Sequence, residues 1–133
     1  MKANELMIAD WVHISNTSLA QVVMVDQYHV QTTYAKYLID EMKLDPVPLT
    51  NKILKSNGFE QNGEYYLLSY NSKDYPNHSE LKFLPRFFDF EGRRMENDLW
   101  VSKVFTVVKY VHELQHALRV IGLTDLADNL KIT

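Results

Sequence analysis

Two histidines one helical turn apart, with a glutamate after the first, are the residues of this chain best placed to do chemistry. They are His112, Glu113 and His116, in the run His112-Glu113-Leu114-Gln115-His116. On a helix, side chains four apart project to the same side and can share a metal ion. A glutamate beside such a pair polarises the metal-bound water, the arrangement H-E-x-x-H of zinc peptidases. A catalytic zinc takes three protein ligands and leaves one position open. After His116 the chain holds no His, Cys or Glu, and its only carboxylate side chains are Asp125 and Asp128. Position 122, where the longer zinc-peptidase pattern has a third His, is Gly. No catalytic residue, metal ligand or cofactor is therefore assigned. The alternative is a minimal zinc metallopeptidase, with Glu113 as base and His112 and His116 as ligands.

A second group of residues suggests binding rather than catalysis. Between Glu80 and Glu91 lie Phe83, Phe87, Phe88 and Phe90, with Lys82 and Arg86 among them. Aromatic side chains interleaved with cations can stack on bases or anchor a partner. The same aromatics could equally fill a core, as a strand in which Pro85 marks an edge or bulge. The polar run from Asn71 to Ser79, with Pro76 and His78, reads as an exposed loop, where binding residues often lie. The candidate ligand-binding set is Lys82, Phe83, Arg86, Phe88 and His78. His13 and His29 fall in strands and read as surface or satisfied residues.

The elements that position these groups follow from periodicity. Thr106 to Leu123 carries apolar residues at Tyr110, Val111, Leu114, Ala117, Leu118 and Ile121, the spacing of an amphipathic helix. Thr106 is its expected cap and Gly122 its expected end. Leu114, Leu118 and Ile121 should face Trp100, Val104 and Phe105 in the sheet. His112, Glu113, Gln115, His116 and Arg119 should then face solvent. Upstream, Trp11–Ile14, Ala20–Val25 and Tyr28–Tyr34 read as three short strands, a meander consistent with a small SH3-like barrel. Tyr34 to Leu44 fits helix or strand. Pro46 and Pro48 force an extended connection. Thr50 then caps a helix Asn51–Asn57, which Gly58 closes, with Leu49 and Leu54 at staple positions. Asn62-Gly63 is a turn and Tyr65–Tyr70 a strand. Glu91 to Arg94 reads as a turn, Leu99–Phe105 as a strand, and Thr124 as the cap of a last short helix. The order of elements predicts one α+β domain over 1–133, with a β-meander part (1–45) and a helix-strands-helix part (46–133).

Composition excludes several classes. The chain has 133 residues, 46% hydrophobic and 23% charged, within the range of globular proteins. A net charge of -3 gives no global attraction to nucleic acid or anionic lipid. The absence of Cys excludes disulfides, thiolate catalysis and cysteine zinc sites. No signal peptide or membrane-spanning run is apparent, so a cytoplasmic protein without membrane contact is expected.

Three stretches together resemble a large family of short, uncharacterised proteins of gut bacteria, their phages and mobile elements. They are Asn4 to Val12, Pro46 to Phe59, and Tyr110-Val111-His112-Glu113-Leu114-Gln115. The family usually has Gly where this chain has Ala9, which suggests a relaxed turn here. Many members carry Gln at the position of Glu113 and Asn at that of His116, a pair of changes no zinc peptidase survives. The resemblance implies no established activity, substrate or cofactor. The resulting expectation is a small, non-catalytic, phage-associated interaction module. Its partner would be a host or phage protein, with a nucleotide or nucleic acid as the other ligand classes. A nucleotide-binding antagonist of host defence and a structural subunit are the remaining alternatives.

Overall fold

The computed structural model describes residues 6–14, 18–26, 28–33, 36–38, 44–70, 79–96 and 99–132; side chains are described in all of these except 36–38, 70, 79 and 92–105. The chain folds as α+β, with two five-stranded antiparallel sheets and short helices. The first sheet holds β1 (Trp11–Ile14), β2 (Ser18–Val25), β3 (His29–Thr32), β4 (Lys36–Leu38) and β5 (Leu44–Pro46). Its order is β4-β3-β2-β1-β5, a meander whose last strand returns to the first. An irregularity between Val22 and Met24 bends β2, so its first half pairs with β1 and its second with β3. This strand order keeps the expected meander, and Val12, Ala20, Val22, Val30 and Leu44 form its buried core. Of the ambiguous stretch Tyr34–Leu44, the described residues are strand, Lys36–Leu38 in β4 and Leu44 in β5, with 34–35 and 39–43 outside the described residues.

The second sheet is a plain meander of β6 (Glu60–Asn62), β7 (Tyr65–Tyr70), β8 (Ser79–Leu84), β9 (Asp89–Glu96) and β10 (Leu99–Val107). Gly63, at φ 66, makes the tight turn between β6 and β7. Two expectations fail here. Glu91 to Arg94 is not a turn but the middle of β9, with Gly92 paired to Leu81 and Val104. The stretch 80–91 is not one strand: Pro85 opens a 3-10 turn over Pro85–Phe87, which folds β8 back onto β9. Proline fixes φ for the first turn residue and cannot join the ladder.

Three helices pack against this sheet. In α1 (Asn51–Ser56) the Thr50 hydroxyl accepts the Ile53 N–H at 3.2 Å, as its capping role requires. Gly58 takes φ 91 and Phe59 N–H returns to Leu54 C=O, closing the helix end. The main helix α2 spans Val111–Val120 and starts later than expected, because Thr106 still belongs to β10. Tyr110 occupies the cap position, and the Glu113 carboxylate reaches back to accept the Tyr110 N–H, the N3 half of a capping box. Gly122 at φ 90 ends α2, with Leu123 N–H bonded to Leu118 C=O. Thr124 does not cap α3 (Thr124–Asp128) but lies inside it, after Leu123.

Val111, Leu114, Leu118 and Ile121 join Ile53, Leu54, Phe59, Leu81, Phe83, Phe90 and Val108 in the larger core. The expected neighbours Trp100, Val104 and Phe105 have side chains outside the described residues. Trp11 joins the two halves: its ring packs on the larger core, and its indole N–H donates to Leu130 C=O at 3.0 Å.

Candidate functional site

The polar face of α2 is not a wet surface. His112 and Gln115 are buried, and His116 and Arg119 are partly covered. The expectation that these residues solvate the helix is wrong, in large part because the segment Met7 to Asp10 folds over Gln115, His116 and Arg119. Asp10, fully buried, is the centre of this contact. Its carboxylate lies 2.6 Å from His116 Nε2, 2.7 Å from Arg119 Nη1, and accepts the Met7 N–H at 2.8 Å. Arg119 also reaches Ile8 C=O and the Asp128 carboxylate. Gln115 completes the clamp with three bonds: its amide donates to Ala9 C=O and Ala127 C=O, and its oxygen accepts Trp11 N–H. A buried charge or amide costs several kcal/mol unless every partner is met, and here they are met partly from residues over 100 positions away and partly from α3.

The turn that delivers Asp10 is tight. Asp10 N–H donates to Met7 C=O, and Ala9 stands at φ 73. The suggestion of a relaxed turn at Ala9 is therefore corrected: the left-handed position is kept without the glycine that suits it. Ala9 is held there by its N–H on Val22 C=O and by the Gln21 and Gln115 amides on its own C=O.

The three residues of the zinc pattern have other engagements. One Glu113 carboxylate oxygen accepts the Lys109 and Tyr110 N–H groups at 2.9 and 3.0 Å, as a helix cap. His112 stacks on Tyr110 and meets the His116 ring edge-on, with centroids 5.6 Å apart. His116 Nε2 faces the Asp10 carboxylate, which also pairs with Arg119. Among the described residues no group of three His, Asp or Glu converges as a metal site. His29 pairs with Asp26, and His13 Nδ1 is buried without a partner among the described residues.

The aromatic and basic residues divide in two. Phe83 and Phe90 are core, so Phe83 leaves the surface set. Lys82 lies half-buried, its ammonium 4.4 Å from the centre of the Tyr65 ring. The tip of the β8–β9 hairpin is the exposed part. Phe87 and Phe88 are 56% and 42% exposed, with Arg86 over Phe87 and Lys109 over Phe88. Phe88 takes φ 56, a conformation costing a side-chain-bearing residue about 1–2 kcal/mol. Val107, whose ladder partner is Asp89, and Tyr110, bridged to Pro48, are also exposed. His78 lies outside the described residues. Sequence reading missed Lys109, whose place beside Phe88 follows from the Val108 N–H bond to Phe88 C=O. Nothing local to Lys109 signals it.

No family model, no curated protein and no solved structure matches the chain.

Proposed function

We propose that this chain is a small, non-catalytic interaction module, cytoplasmic and borne by a phage or mobile element, that docks a partner protein through the β8–β9 tip. The observation that carries this reading is Phe88. A bulky aromatic is held exposed in a left-handed turn position that glycine or asparagine would fill at lower cost. Strain of this kind persists where the side chain has a use outside the fold. Phe87 beside it, with Arg86 and Lys109 over the two rings, makes an aromatic and cationic surface of the type that anchors protein interfaces. The net charge of -3 favours a protein over a nucleic acid as partner. The capping role of Glu113 and the Asp10 contact of His116 weigh against the peptidase alternative.

The test uses the intact chain as bait in host lysate, with Phe87→Ser and Phe88→Gly as paired controls. Partners quantified by mass spectrometry should include a set lost with both variants. In parallel, nucleotides and short single strands are titrated at low and high salt. Identical capture by all three baits would sink the reading. Salt-sensitive nucleotide binding lost in both variants would replace the protein partner by a nucleotide.

A further inference from the structure

We propose that the groove between β10 and α2 receives an extended peptide segment of a partner protein, which adds as a strand to the open edge of β10. This surface is separate from the β8–β9 tip and is tested through different residues.

The argument starts from which way the backbone points. Val108 N–H donates to Phe88 C=O at 2.7 Å, so its polar groups face β9. The chain stays extended as far as Tyr110, at φ -123 and ψ 156. In extended chain successive residues turn their N–H and C=O to opposite sides. The polar groups of Val107, Lys109 and Val111 therefore face away from β9. Two of these three are already paired with an extended segment. Lys109 C=O accepts Leu49 N–H at 3.2 Å, and Val111 N–H donates to Val47 C=O at 2.8 Å. That pairing stops because the chain turns at Thr50 into α1. Val107 is the next position on the same edge, and its N–H and C=O have no partner among the described residues.

A groove of about 300 Å³ lies at this position, lined by Thr106, Val107, Glu113, His116, Ala117 and Val120. Thr106 and Val107 are consecutive strand residues, whose side chains point to opposite faces. A groove touching both runs along the strand's edge. Its far wall is one stripe of α2, at the spacing i, i+3, i+4, i+7. Val107 and Val120 are 50% and 70% exposed, apolar walls facing an open ladder position. This combination selects the occupant: unpaired backbone calls for an extended chain, and two aliphatic walls call for an aliphatic side chain between them. Glu113 gives the α2 wall a negative end, and the chain is acidic overall, so the segment carries a basic residue beside its aliphatic one.

The probe is a displayed library of short random peptides selected against the full chain, followed by synthesis of the enriched sequences. The expected result is a consensus of alternating residues with an aliphatic anchor and a neighbouring Lys or Arg. Binding should shift amide signals of Val107, His116 and Val120. It should weaken at least about tenfold when one peptide nitrogen facing Val107 is methylated, which removes a backbone donor and keeps every side chain. Val120→Glu, a change at an exposed site that should leave the melting temperature unaltered, should abolish it. Phe88→Gly should leave it intact, which separates this surface from the tip. A library yielding no binder, or binders indifferent to both methylation and Val120→Glu, would overturn the proposal. So would a dimer in sedimentation that Val120→Glu dissolves, because the occupant would then be a second copy.

Discussion

The Asp10 carboxylate lies 2.6 Å from the His116 imidazole, across 106 positions of chain, and the contact is buried on the aspartate side. It joins the turn ahead of the first strand to the helix of the second half. It also gives one residue of an apparent metal motif a structural partner.

Asp10→Ala should remove about 3–5 kcal/mol of stability, because it leaves Arg119 partly buried without its nearest counter-charge. His116→Asn should cost less, since Arg119 still holds the carboxylate. Urea midpoints of the two variants test the order. Equal midpoints for Asp10→Ala and the parent chain would show that the Met7–Asp10 turn does not clamp α2.

Gln115→Leu keeps an apolar helix pattern and roughly the same volume, yet it should destabilise by about 1–3 kcal/mol. Trp11 N–H loses its partner, while Ala9 C=O keeps only the Gln21 amide and Ala127 C=O only the Leu130 N–H. A neutral outcome in thermal unfolding would contradict the clamp.

Two substitutions to glycine should stabilise. Ala9→Gly and Phe88→Gly relieve left-handed strain at φ 73 and φ 56, with a gain of about 0.5–1 kcal/mol each after the entropy cost of glycine. Differential scanning calorimetry reads both. Only Phe88→Gly should lose binding of the partner held at the β8–β9 tip. A drop in melting temperature for either variant would show that its side chain contributes more by packing than it costs in strain.

Glu113→Ala should cost about 1 kcal/mol, the value of a helix cap, and Glu113→Gln less, since an amide oxygen still accepts. Protein purified without an affinity tag should carry substoichiometric zinc by elemental analysis. One tightly held zinc per chain, lost in His116→Asn together with a hydrolytic activity, would restore the peptidase reading.

In acid, Asp26 should report on the β2–β3 turn. The Tyr28 N–H holds its carboxyl below the usual range against the opposing effect of burial, and the His29 N–H and ring add to the lowering. A folded value below the unfolded one means stability present above the unfolded value and lost as pH falls through the folded one. Asp26→Asn should flatten the acid limb of a stability-against-pH curve. An unchanged limb would show that the turn does not depend on the charge.

Local structure was legible from the chain alone wherever a single residue type settles a backbone state. Thr50 and Gly58 bound α1, Gly122 ends α2, and the alternation of Val12, Ala20, Val22 and Val30 marks the first sheet's buried face. Each depends on neighbours within a few positions, which a sequence displays. The aromatic stretch was legible as composition but not as surface. Whether Phe83 or Phe87 turns inward depends on where Pro85 breaks the strand and on Phe88 taking a left-handed turn.

The polar face of α2 lay beyond reach for a different reason. Helical periodicity says which residues share a face, but only a second segment decides whether that face is wet. Asp10, Arg119 and Gln115 are ordinary polar residues in sequence. They become a buried clamp because a turn over 100 residues away joins α3 and the start of β1 in supplying their partners, so the fold alone determines whether His112-Glu113-Leu114-Gln115-His116 is chemistry or structure.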